Sequence, residues 1–263
     1  MYSKIVLVHA GLGKTGTSSL QCAFVNYRND LNKAGFVYPF IDDKAEEELA
    51  ESFKMSSGNG RSLRCWMFPR YISKTPWYNE AVFLHDFNQL LADTRSNILI
   101  SNESLWNCEL EQWLNLKKIV NAHGYELKIV CYIRDILDYF YSSWAQQIKM
   151  GTRLDSFENV ISEVDSSHFK NLLNILQCQQ LNTELRYYYQ GIDLFNDFFL
   201  NEFGISLDAK APRPIINRSL NASEILEVVN LNKSVAENQI ATKEAKKRVD
   251  SMLNSQPAEK KRL

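Results

Sequence analysis

The stretch IVLVHAGLGKTGTSSLQ, Ile5 to Gln21, decides the fold. Its first half, Ile5-Val6-Leu7-Val8, is a short apolar run of the kind buried on both faces of a parallel sheet. Its second half is a loop holding three glycines and Lys14, then four hydroxyl residues within five positions. Apolar residues at helical spacing follow (Leu20, Ala23, Phe24, Tyr27, Leu31). A strand, a glycine-bearing loop and a helix start in that order form an anion cradle, because the first N–H groups of a helix lack partners and its dipole favours negative charge. The candidate binding residues are Gly13, Lys14, Thr15, Gly16, Thr17, Ser18 and Ser19. Gly16 lets the backbone close on an anion, the hydroxyls donate, and Lys14 adds a full charge. The plainer alternative is a Ser/Thr-rich cap on an ordinary helix.

Working outward, Asn97–Ser101 and Lys128–Ile133 read as further buried strands, and Leu185–Tyr189 as a fourth. Helical periods run over 81–94, 136–150, 194–203 (closed by Gly204) and 222–240. Strand–helix alternation predicts an α/β fold, a central parallel sheet flanked by helices in a P-loop-like arrangement. The loops after Val8, Ile100 and Ile133 should then converge beyond the carboxyl ends of the strands. Residues 1–242 read as one domain with a long helical excursion, and 243–263 as a charged, frayed tail. The segment 42–97 is the hardest to place.

The bulk numbers exclude several classes. The chain has 263 residues, 45 % hydrophobic, with a formal net charge of −1, so any anion site is a local feature and a nucleic-acid polymer is not an expected partner. Five scattered cysteines without a C-x-x-C pair, and four distant histidines, argue against a disulfide framework and a metal site. Met1 leads at once into the first strand, and no apolar run approaches the ~20 residues of a membrane span. The expectation is a soluble, cytoplasmic protein.

The rival for the first loop is the nucleoside-triphosphate pattern G-x-x-x-x-G-K-[ST]. Gly13-Lys14-Thr15 supplies its end, but Val8 stands where its first glycine belongs, and the strand Asn97–Ser101 runs on into Asn102 and Glu103 rather than ending in a magnesium-binding Asp. The loop after Ile133 adds a second anion contact. Arg134 stands at the strand exit, and Ser142 lies eight residues on, two turns into the next helix. An arginine with a hydroxyl reaching back suits a phosphate dianion; pairing of Arg134 with Asp135 or Asp138 is the alternative. Two such elements imply a ligand with two separated anionic groups, such as a nucleotide phosphorylated at both ends of its ribose.

Lys14-Thr-Gly-Thr-Ser-Ser-Leu-Gln21 and Tyr132-Ile-Arg-x₇-Ser-Ser-Trp144 together resemble the sulfotransferase superfamily that uses 3′-phosphoadenosine 5′-phosphosulfate (PAPS) and releases adenosine 3′,5′-bisphosphate (PAP). The likeness is to the glycan-modifying branch and its bacterial relatives, whose loop reads KTGTT; Ser18 stands in for the second Thr and keeps the hydroxyl. It extends through Gln146–Gly151, Ser156-Phe157, Leu185–Gly204 and Asn217–Asn221. The resemblance implies that the Lys14 loop binds the 5′-phosphosulfate, that Arg134 and Ser142 bind the 3′-phosphate, that no metal is needed, and that the acceptor is a hydroxyl, less readily an amine, on a carbohydrate or glycolipid.

Sulfuryl transfer asks for a base on the acceptor hydroxyl. Glu103, just past the strand Asn97–Ser101, is the first candidate if burial lifts its pKa; capping the next turn or pairing with Arg134 is its structural alternative. His9 is the competitor. Arg61, Arg64, Trp66, Arg70, Tyr71, Lys74, Trp77 and Tyr78 form an aromatic, basic stretch suited to anionic sugars, or to an ordinary helical core with a solvated face. A P-loop nucleotide kinase and a non-catalytic nucleotide-binding module stand as the alternative functions.

Overall fold

Strands β1 (Lys4–His9), β2 (Phe36–Val37), β3 (Asn97–Ser101), β4 (Tyr125–Ile133) and β5 (Asn182–Tyr187) form one sheet in the order β2-β3-β1-β4-β5. The structure, a computed structural model, describes residues 4–41, 44–164, 166–189, 191–208 and 220–254. Every neighbouring pair is parallel, as the sequence predicts for an α/β fold. In chain order the helices are α1 (Thr17–Asn26), α2 (Arg28–Lys33), α3 (Lys44–Glu51), α4 (Arg61–Met67), α5 (Glu80–Asp93), α6 (Leu110–Ala122), α7 (Ile136–Lys149), α8 (Phe157–Ser162), α9 (Lys170–Gln177), α10 (Leu194–Phe203), α11 (Ala222–Ala236) and α12 (Thr242–Asn254). None is long and apolar enough to cross a membrane.

The chain forms two compact units. The first, residues 1–135 and 166–216, holds the sheet. Successive strand residues point to opposite faces, and both faces are covered. Val6, Val8, Ile98, Ile100, Leu127 and Ile129 pack with Leu63, Phe83, Phe87, Trp113 and Leu116 from α4, α5 and α6. Leu7, Leu99, Val130 and Tyr132 pack with Leu20, Phe24, Phe198, Phe199 and Phe203 from α1 and α10. Each fully buried side chain of this size contributes roughly 1.5–3 kcal/mol, so the sheet is the rigid base for its loops.

Strand β1 lies in the middle. From β1 the chain turns toward β3 and β2, and from β4 toward β5, so the order reverses between β1 and β4. Such a switch point leaves a crevice beyond the strand ends. The Lys14 loop and Arg134 leave the sheet there.

The second unit, residues 136–165 and 217–263, contains α7, α8, α11 and α12. Trp144, Ile148, Val160, Ile225, Val228, Leu231, Ala245 and Val249 form its core. The Trp144 indole donates to the Asp155 carbonyl (3.0 Å), Asn232 donates to the Ile148 carbonyl (2.7 Å), and Asn221 and Glu224 make a capping box. The helical excursion thus has a core of its own. The tail differs from the frayed segment expected: residues 242–254 are helical, because Ala245 and Val249, one turn apart, bury against α11. Asn217–Ser219 and the chain beyond 254 lie outside the described residues.

Candidate active site

Past His9 the backbone stays paired with β4, Ala10 N–H to the Val130 carbonyl and Leu12 N–H to the Tyr132 carbonyl, both 2.9 Å. It then curls through two left-handed residues, Lys14 (φ 70°) and Gly16 (φ 79°). For a lysine that conformation is uncommon and needs support from its surroundings. Gly16 is the N-cap of α1 and offers no side-chain cap, so no side chain of its own covers the helix start. A methyl group at Gly16 would also lie 2.5 Å from Leu194 Cδ2.

The loop has an outer and an inner layer. Gly13, Lys14, Gly16, Ser18 and Ser19 are half-exposed, whereas Thr15 and Thr17 are 1 % and 2 % exposed. The Thr15 hydroxyl donates to the Leu12 carbonyl at 2.6 Å. Of the four candidate hydroxyl donors, the structure thus places Thr15 and Thr17 in the interior and Ser18 and Ser19 at the surface. Residues on a helix start are about 100° apart, so Thr17 turns into the core while Ser18 and Ser19 face outward.

Arg134, at the exit of β4, reaches across the crevice and donates through Nη1 to the Lys14 carbonyl at 2.9 Å. Its guanidinium also lies 5.7 Å from the centre of the Tyr188 ring. The arginine thus supports the strained turn at Lys14, and the structure brings the first and third loops together. Ser142 lies on α7, in the second unit.

Glu103 opens a short 3₁₀ turn, Glu103–Asn107, after β3. The cap of that turn is Asn102, whose side chain accepts from Ser104 N–H at 3.0 Å, so Glu103 is not spent on capping. The surrounding protein raises the pKa of its carboxyl above the usual glutamate value, and the charges of Lys14 and Arg64 pull it back down. The side chain itself is solvent-accessible, which tempers the rise. An accessible carboxylate flanked by two cations can take a proton from a bound hydroxyl.

His9 cannot. It is 0 % exposed, edge-on to Phe24, Tyr132 and Phe198 at ring-centre distances of 6.1, 6.1 and 5.2 Å. Burial, helped by the Arg186 charge, lowers its pKa to about 3. The imidazole is neutral and walled off by aromatic rings, which corrects its reading as a competing base. Its place follows from alternation along β1: His9 shares the Leu7 face, opposite its register partner Ser101.

The segment that the sequence leaves hardest to place is anchored to β3. Asn59 donates to the Pro39 and Leu99 carbonyls (2.8 and 2.9 Å) and accepts from Ser101 N–H (2.8 Å). Gly60 N–H donates to the Ser101 carbonyl at 3.1 Å, and Asn102 donates to the Ser57 carbonyl at 2.9 Å. These bonds seat α4 beside the exit of β3 and bring Arg64 within electrostatic reach of Glu103. Arg61 lies over the Trp77 ring at 4.6 Å and Arg70 over Phe68 at 4.6 Å, so part of the aromatic, basic stretch is engaged in cation–π contacts. Sequence reasoning did not single out Ser101, Tyr188 or Asn59. The Gly58-Asn59-Gly60 triplet was the one available signal, for Gly58 is left-handed (φ 75°).

No protein-family model and no curated protein sequence matches the chain. Among solved structures it is similar to a retinol dehydratase crystallised with androsterone and the inactive cofactor PAP, at a TM-score of 0.32 and 12 % identity. The match covers 94 % of this chain and 64 % of that one, so the chain spans less than two thirds of that protein's length. A likeness at that level assigns no function to this chain.

Proposed function

We propose that the chain is a PAPS-dependent sulfotransferase acting on a hydroxyl of a carbohydrate or glycolipid. One observation carries the reading: Arg134 and the Lys14 loop, the two elements suited to separated anions, meet through the 2.9 Å bond from Arg134 to the Lys14 carbonyl. The residues present fit a doubly phosphorylated nucleotide. The uncapped start of α1, the Lys14 ammonium and the outward Ser18 and Ser19 suit the 5′ end. Arg134 suits the 3′-phosphate.

PAPS supplies the activated sulfuryl group. Glu103 takes the proton from the acceptor hydroxyl as its oxygen bonds to sulfur. Lys14 and the start of α1 offset the charge left on the 5′-phosphate when its bond to sulfur breaks. No step asks for a metal. The nucleotide-kinase alternative lacks both the first glycine of the loop and an Asp closing β3, since Val8 and Ser101 stand there.

The test is transfer of sulfur-35 from PAPS to a crude glycan extract. Labelled glycan formed without magnesium supports the reading. Magnesium-dependent phosphate transfer from ATP, with no sulfur transfer, contradicts it.

A further inference from the structure

Helix α3 ends on a residue that its local geometry disfavours. The Lys54 N–H donates to the Leu49 carbonyl at 2.8 Å and the Phe53 N–H to the Ala50 carbonyl at 3.1 Å. In this paired closure the residue after the cap turns left-handed, and glycine is the usual choice. Phe53 holds that place, with φ 53°. A bulky side chain at positive φ is an outlier of the kind that gathers at binding sites. Burial does not offset the strain, for Phe53 is 42 % exposed and Met55, two residues on, 58 %.

The backbone around these two side chains is pinned on both sides. Asn26 Nδ2 donates to the Ala50 carbonyl at 3.3 Å, and one turn nearer the start of α1 the Cys22 thiol donates to the Lys54 carbonyl, also at 3.3 Å. The next turn of that helix face carries Ser18, in the outer layer of the anion loop. From Lys54 the chain runs to Ser57, whose N–H donates to a Glu46 carboxylate oxygen at 2.5 Å and whose carbonyl accepts from Asn102 at 2.9 Å. Asn102 directly precedes Glu103. Two residues span at most ~7 Å, so Met55 stands between the first turns of α1 and the exit of β3 that carries Glu103. Two exposed apolar side chains on a fixed backbone therefore lie at the rim of the candidate site.

We propose that Phe53 and Met55 form an apolar lip that takes the apolar part of the acceptor. The substrate class is then a hydroxyl compound carrying an alkyl chain, as a glycolipid does, rather than a wholly polar glycan. A hydrocarbon laid over both side chains removes apolar surface from water, and on a pinned backbone little freedom is lost in the process. The unbranched Met55 thioether adapts to chains of differing shape. The neighbourhood of Asn102 and Glu103 identifies the occupant, because a molecule whose hydroxyl meets Glu103 has its remaining length within reach of this rim. The lip selects the acceptor and touches no reacting atom. Its part in transfer rests on the sulfotransferase reading; apolar binding at the lip does not.

The test uses the full chain and two probes, octyl β-glucoside below its micelle-forming concentration and methyl β-glucoside. In carbon-13 methyl NMR the Met55 signal, identified by its loss in Met55→Gln, should move with the octyl glucoside and stay in place with the methyl one. Phe53→Gly should raise Kd for the octyl glucoside about tenfold, the scale of one large apolar contact. The same variant should melt at or above the wild-type temperature, because glycine relieves the left-handed turn. A Met55 signal moved equally by both probes or by neither, or a Phe53→Gly that melts several degrees lower, overturns the lip. So does sedimentation in which Phe53→Gly turns a dimer into a monomer, since a second copy is then the occupant. In the second arm, sulfur-35 transfer from PAPS to a crude glycolipid extract is followed. Phe53→Gly should raise the extract concentration for half-maximal rate about tenfold, with the Kd of adenosine 3′,5′-bisphosphate unchanged. An unmoved half-maximal concentration overturns the role in acceptor choice. A wild type that binds octyl glucoside at Met55 and transfers no sulfur keeps the lip and sinks the sulfotransferase reading instead.

Discussion

Arg134 holds the backbone of Lys14. Its Nη1 donates to the Lys14 carbonyl at 2.9 Å, at a residue whose φ of 70° the chain adopts without glycine's freedom. The third loop of the sheet thereby supports the strained turn of the first. An arginine whose guanidinium is anchored on one side is pre-organised for a phosphate on the other, because less freedom is lost per bond formed.

Arg134→Ala is expected to weaken adenosine 3′,5′-bisphosphate binding by about 2–3 kcal/mol, the scale of a charge-assisted contact. The preference for that nucleotide over AMP should shrink with it. Calorimetric titration of both nucleotides checks this. Equal losses for the two would confine Arg134 to supporting Lys14.

Gly16→Ala should destabilise the protein by about 1–2 kcal/mol, the cost of a left-handed non-glycine residue. The clash is with the far end of the Leu194 side chain, so Leu194→Ala should not restore stability to the Gly16→Ala protein. Gly16→Asn should be tolerated better, since asparagine visits this conformation. Urea unfolding of the four variants decides. Full recovery in the double variant would assign the cost to the clash instead.

Stability should fall in mild acid. The His9 pKa is lowered from 6.5 unfolded to about 3 folded. Between those values the unfolded chain binds a proton that the native state refuses, so stability rises with pH and is lost as pH falls from about 6.5 toward 3. The slope from this group is about 1.4 kcal/mol per pH unit. His9→Phe should remove that one-proton contribution when unfolding is followed between pH 6.5 and 4.5. An unchanged slope would mean that His9 titrates normally in the native protein.

Much of the fold is legible in the sequence because parallel strands buried on both faces leave continuous apolar runs. Asn97–Ser101 is such a run and matches β3 residue for residue. Strand β4 begins at Tyr125, three residues before the expected start at Lys128, since Glu126 is an exposed strand residue that breaks the pattern. The helix expected from Thr17 to Leu31 breaks at Tyr27, which is the C-cap of α1 and the N-cap of α2. The candidate site was legible where the backbone makes it: the loop, the strand exits, Arg134 beside Lys14. Side-chain direction was not. That Thr15 and Thr17 face inward, and that His9 lies among aromatic rings, depends on which face of β1 and α1 meets the core. Asn59 reaches β3 across about forty residues of chain through hydrogen bonds that no periodicity announces, and they bring Arg64 within electrostatic reach of Glu103.

Glu103→Gln separates chemistry from binding. It keeps shape and hydrogen bonding while removing proton acceptance, so turnover should drop ~10²–10⁴-fold with nucleotide affinity near that of wild type. The acid limb of the wild-type rate profile should lie above the ordinary glutamate range. Near-normal transfer by Glu103→Gln removes this residue from the mechanism, and loss of nucleotide binding makes it part of the scaffold.

The central claim is that the crevice between β1 and β4 binds a nucleotide phosphorylated at both ends of its ribose. Its most direct test is the shift in Tm of the wild-type chain with adenosine 3′,5′-bisphosphate, AMP and ATP, each with and without magnesium. Stabilisation follows affinity for the native state. The account predicts the largest shift with the bisphosphate, indifferent to magnesium and reduced by Arg134→Ala. Equal shifts with AMP and the bisphosphate, or a shift that requires magnesium and favours ATP, would contradict it.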